Sequence, residues 1–402
     1  MGFKILVNST FGGGAEIQAA LLARALKPDA FLVLDGPPGG VAQPLAQWCS
    51  GLPGALKTLL LRHYARRLAA QTGPGDTVLS FMQRSNFVNV LAARSNGHRA
   101  VICEVTQPSR EFTGLRGKII KPLISRLYPE AALTLANSKG NARDLEENFG
   151  FAPGKIKVIY NACDIAGVRA QAALFPDGTY GEIFKRPVII TSGRLTAAKA
   201  HWRLLRIFAE VKKGKPDAAL VLLGEGELRQ QLLGLCAALG LKAYDAKGAA
   251  PMTGKEDVFF AGFQEHPYKF FSRAKVFAFT SLWEGLPNAV IEALACGLPV
   301  ISSDCRSGPR ELLAPGTDFA AAAVMPEETA TGLLMPPFKV TPPEFDTETD
   351  GREKLWAEKI LELLADAPRL AKLRRACEDR AEAFSLPKKT AEWHSLLRGQ
   401  AT

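Results

Sequence analysis

At 402 residues the chain exceeds what a single hydrophobic core usually serves, so two domains are expected. Apolar residues at 47% and charged ones at 22% exclude the disordered and fibrous classes. No apolar run approaches the roughly 18–20 residues of a spanning helix, and the seven scattered cysteines, with no C-x-x-C pair, argue against a disulfide framework or zinc site.

The N-terminal stretch "MGFKILVNST" is too short in apolar residues for a secretory signal and reads as a buried strand. With the cysteine usage, this places the chain in the cytoplasm as an expectation. Short apolar runs then alternate with helical stretches: "FKILVNS" then 14–26, "AFLVLD" then 55–71, "TVLSF" then 84–95, "RAVICEV" then 115–127, and "AALTLANS" then 138–148. The rhythm restarts at "PVIIT", 187–191. Helix 199–213, strand "ALVLLG", helix 227–239, strand "VFFAG", helix 266–273, strand "KVFAFTS", helix 287–296 and strand "PVISS" follow. Continuous apolar strands separated by helices indicate parallel sheets covered on both faces. The expected fold is α/β, with two Rossmann-like domains joined through 160–186. Proline-rich, acidic 338–351 reads as a surface insertion, and helices 353–365 and 367–383 follow. A last helix starts at a Ser cap and ends at Gly399.

The net charge of +10 lies mostly in the first 175 residues. Arg110 to Arg126 holds five basic residues and one acid, and Arg62 and Arg66 stand one helical turn apart beside a leucine-rich face. Such stripes attract anionic surfaces. The plainer alternative is the solvated face of an ordinary helix.

Three glycine loops follow strands. In "STFGGGAE", Gly12, Gly13 and Gly14 would let the backbone approach an anion at a helix start. A dinucleotide site needs a third glycine where Ile17 stands, although Asp35 ends the next strand at a suitable distance. A simple tight turn remains open. In "IITSGRLTAAKAHW", Arg194 and Lys199 bracket a turn into a helix, which suits a diphosphate or plain solvation alike. "LLGEGELRQQL" is weaker and could be only a turn.

The stretch "SLWEGLPNAVIEALACGLPVI" is the most specific. Glu284 sits in a loop, Pro287 suits the first helical position, and the amides of Asn288 and Ala289 point out of the helix start toward a phosphate. Glu292, inside an otherwise apolar helix, is costly to bury without partners, and vicinal hydroxyls are natural ones. The alternative is that Glu292 caps a loop or pairs with a cation such as Arg310.

The block "SLWEGLPNAVIEALACGLPVISSDCRSGPREL" resembles the signature of retaining glycosyltransferase family 4, whose members have the GT-B fold. "GGGAE", "YNACD", "SGRLTAAK", "LVLLGEGELR", "VFFAGF" and "TGLLMPP" fall in the family's order. The resemblance implies two Rossmann-like domains with parallel sheets facing across a cleft. It implies 1–175 plus 384–402 on the acceptor side, and 176–383 binding a nucleotide-sugar, expected to be a UDP-sugar. Carried over, Gly13 and Gly14 face the diphosphate, Arg194 and Lys199 neutralise it beside the amides of Asn288 and Ala289, and Glu284 with the Gly-Leu-Pro-Asn loop that includes Leu286 and Asn288 holds the sugar. Glu292 takes the ribose and Phe263 the base. Glu16, Glu104 and Arg110 are the acceptor-side candidates. Where many relatives carry a histidine that touches the donor sugar, this chain has "CEVTQPSRE". Where relatives often follow the lysine with glycine or asparagine, it has Ala200.

Family members need no metal, and no D-x-D motif stands here. The resemblance therefore implies metal-free, front-face retention onto a glycan or polyprenyl-diphosphate-linked acceptor at an anionic membrane face, with no cofactor beyond the donor and no nucleic acid. An epimerase on the same fold, or a non-catalytic partner protein, are the rival expectations. A nicotinamide oxidoreductase is disfavoured by the missing third glycines.

Overall fold

The computed structural model describes residues 2–9, 13–36, 42–46, 54–176 and 178–398. Gly12, Cys49 and Gly399 lie outside them. The chain divides into two compact units, Met1–Ala162 with Leu386–Thr402, and Cys163–Ser385.

The first unit holds strands β1 (Phe3–Val7), β2 (Ala30–Val33), β3 (Gln43–Pro44), β4 (Thr77–Phe81), β5 (Arg99–Glu104), β6 (Leu133–Ala136) and β7 (Lys157–Val158). They form one parallel sheet in the order 3-2-1-4-5-6-7. Its helices are α1 (Gly14–Leu26), α2 (Gly54–Leu59), α3 (Leu61–Ala69), α4 (Gln83–Asn96), α5 (Pro108–Glu111), α6 (Gly114–Leu127) and α7 (Lys139–Phe149). One sheet face packs Leu6, Leu32, Val78 and Ile102 against α3, α4, α6 and α7. The opposite face packs Ile5, Val7, Leu79 and Val101 against α1 and the terminal helix. The inner strands are thus apolar on both faces, which is why they read as unbroken apolar runs rather than alternating ones.

The second unit contains α8 (Ile165–Ala172), α9 (Thr179–Ile183), β8 (Val188–Ser192), α10 (His201–Gly214), β9 (Ala219–Leu223), α11 (Arg229–Ala238), β10 (Ala243–Asp245) and β11 (Val258–Gly262). After these come α12 (Tyr268–Phe271), β12 (Val276–Phe279), α13 (Asn288–Ala295), β13 (Val300–Ser303), α14 (Pro309–Leu313), β14 (Glu327–Thr329), β15 (Gly332–Met335), α15 (Gly351–Ala365) and α16 (Ala367–Ala381). The sheet order is 10-11-9-8-12-13-15-14, parallel except where β14 meets β15. The strand order reverses between β8 and β12. Ligands of open parallel sheets settle outside the carboxyl ends of the strands at such a reversal.

The final helix, α17 (Leu386–Leu397), belongs to the first unit, with Trp393 buried against Phe81 at a ring separation of 5.9 Å. The unit boundary falls at Ala162/Cys163, not at the expected 175/176. Helix α8 explains the shift: the Ser272 hydroxyl and the Arg273 guanidinium donate to Ala172 O at 2.9 and 3.1 Å, and so tie α8 to the second unit. Segment 338–350 has no regular structure, Gly351 already opening α15, but it is strapped down rather than loose. Phe338 stacks on Trp356 at 5.7 Å, and Arg206 reaches Asp346 Oδ1 at 3.2 Å while its Nη2 holds buried Glu353 at 2.9 Å. The short strands β3, β7, β10 and β14 were not expected from sequence, being two or three residues long at or near sheet edges.

Candidate functional site: the loops at the strand-order reversal of the second unit

Two loops leave the carboxyl ends of β8 and β12, one on each side of the reversal. The first carries Arg194 and Lys199, the second Glu284. Lys199 Nζ contacts Glu284 Oε1 at 2.5 Å and lies 5.1 Å from the centre of the Phe279 ring. The loops are also tied through backbone, since the Thr280 hydroxyl donates to Lys199 O at 3.0 Å. Arg194 is exposed, and its guanidinium forms no ion pair with any described residue. One cation is thus held by a carboxylate while another stands open to an anion.

A third loop buttresses the first. Gly193 N donates to Leu223 O at 2.9 Å and Leu195 N to Glu225 O at 2.8 Å. A Cβ on Gly224 would lie 2.1 Å from Gly193 O, and one on Gly226 2.4 Å from Leu195 O. The Gly-x-Gly of "LLGEGELR" is therefore the close backbone contact that fixes the Arg194 loop.

Ala200, buried at the start of α10, has φ 48°, the left-handed region that glycine and asparagine enter readily. This accounts for the preference for those residues after the lysine. Ala200→Gly is expected to raise stability by about 1 kcal/mol, read from the urea midpoint, by relieving the Cβ cost of that conformation.

Beyond Glu284 the chain is clamped by 306–308. Glu284 N donates to Arg306 O at 3.0 Å, and the Ser307 hydroxyl donates to Gly285 O at 3.1 Å. At Gly308 (φ 96°) a Cβ would meet Gly285 O at 2.7 Å. Pro287 is the N-cap and α13 begins at Asn288, one residue later than expected, because Pro287 keeps an extended ψ of 107°. Asn288 and Leu286 are already engaged within the protein. At this helix start the Ala289 N–H has no hydrogen-bond partner among the described residues.

Glu292 lies along α13 and receives the Tyr268 hydroxyl. Burial pushes its carboxyl up to about 7, and the Tyr268 hydrogen bond pulls it partly back. Arg310, its alternative partner, is instead spent on Asp304 Oδ2 at 2.5 Å and Glu327 Oε2 at 2.9 Å. Glu292 thus has no cationic partner among the described residues and keeps acceptor capacity for a hydroxyl ligand. Phe263, just past β11, is 77% exposed and presents a free ring face. Tyr268 lies in "HPYKFF", which carries no motif, so sequence reasoning missed it; nothing in that stretch signalled a contact 24 residues ahead.

The first-unit candidates fare differently. Gly13 is the N-cap of α1, and its neighbour Gly14 opens the helix but is already engaged within the protein. Glu16 folds back over that start, its Oε2 2.6 Å from where a Gly13 Cβ would be. Glu16 is thus largely buried in the first turn of α1. The acceptor reading of Glu104 is corrected. It is fully buried, with Oε1 accepting from Val105 N, Thr106 N and the Thr106 hydroxyl at 3.0, 3.0 and 2.9 Å, and Oε2 from the Tyr128 hydroxyl at 2.8 Å. Burial raises its carboxyl above the ordinary range while these hydrogen bonds oppose the rise. It is a strut for the loop after β5. Arg110 is exposed on α5, unpaired among the described residues. Asp35, the possible ribose ligand of a dinucleotide site, is buried and paired with Lys57.

A family profile described as "Glycosyl transferases group 1" matches residues 180–334, and one described as "Glycosyltransferase Family 4" matches 12–166. An uncharacterized glycosyltransferase of Methanocaldococcus jannaschii is 31% identical over 320 residues, 78% of this chain and 75% of that one. A second relative is the Campylobacter jejuni N-acetylgalactosamine-N,N'-diacetylbacillosaminyl-diphospho-undecaprenol 4-alpha-N-acetylgalactosaminyltransferase. It is 38% identical over 240 residues, 59% of this chain and 60% of that one. Among solved structures, Anabaena HepE in complex with UDP-glucose superposes with a TM-score of 0.72 at 20% identity, covering 99% of this chain and 100% of that one. Sucrose-phosphate synthase from Thermosynechococcus elongatus gives 0.75 at 18%, covering 99% of each. The chain belongs to glycosyltransferase family 4 and has the GT-B fold, with two α/β domains built on parallel sheets.

Proposed function

We propose that the protein transfers a hexose or N-acetylhexosamine from a UDP-sugar, with retention of configuration, to a glycan carried on a polyprenyl diphosphate. The reaction would take place at the inner face of the plasma membrane. The observation that carries this reading is the pairing of Lys199 with Glu284 beside open Arg194, on the two loops that flank the strand-order reversal. A diphosphate entering there meets the Arg194 fork and the Lys199 ammonium, which neutralise the charge that develops as it leaves. The two cations take the place a divalent metal would occupy. Glu284, with the Leu286, Asn288 and Ala289 segment, orients the sugar; Glu292 accepts the ribose hydroxyls; Phe263 stacks on the base.

In the proposed step the bond from the anomeric carbon to the diphosphate oxygen breaks, and the acceptor oxygen bonds that carbon from the same face. The acceptor proton passes to an oxygen of the departing diphosphate. Glu284 is engaged by Lys199, which favours an orienting role over nucleophilic attack. The acceptor class is supported by the printed activity of the Campylobacter jejuni relative.

The test is a panel of UDP-sugars offered with an undecaprenyl-diphosphate-linked glycan in EDTA. Transfer of one hexose or N-acetylhexosamine, yielding an α-linked product from an α-linked donor, is expected. A requirement for divalent metal, an inverted product, or conversion of donor without acceptor contradicts the reading.

A further inference from the structure

Helix α6 is apolar on two sides. Gly117, Ile120, Ile124 and Leu127 face inward, with Gly117 so close that a Cβ would stand 2.5 Å from Phe112 O. The opposite side carries Leu115, Ile119 and Pro122 at positions i, i+4 and i+7, one stripe of a helix. Leu115 is 77% and Ile119 54% exposed. Arg116 and Lys118 flank this stripe, and Arg126 continues it toward the helix C-terminus; all three are exposed. A helix that needs only one apolar face for its own core has no internal reason for the second.

Helices α3 and α6 belong to the same layer, on the sheet face opposite α1 and α17. Exposed Arg62 and Arg66 of α3, with 79%-exposed Leu59 just before it, therefore look out from that same face. Apolar side chains ringed by cations fit a bilayer rather than a second protein surface. The leucines and isoleucine enter the acyl boundary while Lys and Arg remain at the anionic headgroups. No helix of the described residues is long and apolar enough to cross a membrane, so this contact is peripheral.

We infer that the outward face of α6, led by Leu115 and Ile119 and ringed by Arg116, Lys118 and Arg126, docks the protein on an anionic bilayer. The inference rests on the proposed lipid-linked acceptor, which it places within reach of a membrane-seated enzyme.

The test is co-sedimentation of the full chain with vesicles of phosphatidylcholine, alone or mixed with phosphatidylglycerol. Binding only to the mixed vesicles, released by salt, is expected. Leu115→Asp with Ile119→Asp should lower the partition by about tenfold or more, and Arg116→Glu with Lys118→Glu by about tenfold or more. Both pairs are exposed, so each variant should keep wild-type transfer to a short-chain, water-soluble acceptor without vesicles. Equal sedimentation of wild type and both variants overturns the inference, as does binding to neutral vesicles alone or a solution dimer that the Leu115/Ile119 variant abolishes. Transfer to the soluble acceptor without vesicle binding overturns the docking face and leaves the proposed function standing. The expected vesicle binding with no transfer to any prenyl-diphosphate acceptor does the reverse.

Discussion

Lys199→Ala and Glu284→Gln are each expected to lower kcat about a hundredfold or more, the range seen when one preorganised electrostatic contact to a transition state is lost. A hundredfold corresponds to about 2.7 kcal/mol of barrier. The two substitutions should not be additive. Lys199 holds Glu284 at 2.5 Å, so removing either releases the other from its working position. Arg194→Ala, by contrast, removes an open cation that has no ion-pair partner among the described residues, and should act through donor binding as well as turnover. Stability separates this account from a structural one. The Lys199 and Glu284 side chains are only 21% and 12% exposed, so Lys199→Ala leaves a largely buried carboxylate without its cation and should cost stability as well as turnover. Glu284→Gln keeps a hydrogen-bonding oxygen for Lys199, so its melting temperature should fall less than that of Lys199→Ala while its turnover still collapses. Near-normal transfer by both variants removes Lys199 and Glu284 from the reaction.

The second large effect concerns Glu292 and pH. Its carboxyl is pushed up to about 7 by burial, opposed by the Tyr268 hydrogen bond. The ionised form offers both oxygens, with full negative charge, as acceptors to a pair of ribose hydroxyls, whereas protonation turns one oxygen into a donor and weakens the other as an acceptor. The sign follows: donor affinity is full above pH 7 and falls as the carboxyl protonates below it. For one proton the weakening is about tenfold between pH 8 and pH 6. A UDP-sugar is the right probe, because its diphosphate is esterified at both ends and does not titrate in this range. Glu292→Gln should weaken donor binding at pH 8, flatten the pH dependence and leave kcat much less affected. Tyr268→Phe should move the inflection upward, since it deletes the hydrogen bond that favours the ionised carboxyl. A titration of UDP-sugar affinity that is flat from pH 6 to 8 in the wild type contradicts the assignment of Glu292 to the ribose.

What could be read from sequence follows from how local each determinant is. Strands such as "ALVLL" and "VFFAG" are buried along their whole length, so their apolar runs announce a doubly covered parallel sheet. The placement of Arg194, Lys199 and Glu284 on strand-end loops was legible because strand ends are marked by glycine and polar residues. Glu104 misled because a carboxylate at a strand end looks the same in sequence whether it faces solvent or folds back on its own backbone. Only the surrounding donors, Thr106 and Tyr128 for Glu104, decide between them. The unit boundary was misplaced because α8 is bound to Ser272 and Arg273, about a hundred residues away in sequence. The same holds for Tyr268, whose role depends on α12 lying against α13 and not on any spacing.

The central claim is that the donor's diphosphate is held by Arg194 and Lys199 at the strand-order reversal of the second unit, with Glu292 on the ribose. A crystal structure of the protein soaked with UDP tests it most directly. The account predicts phosphate oxygens within hydrogen-bonding reach of the Arg194 guanidinium and the Lys199 ammonium, and ribose hydroxyls on the Glu292 carboxylate. UDP bound with neither cation touching its phosphates would contradict it.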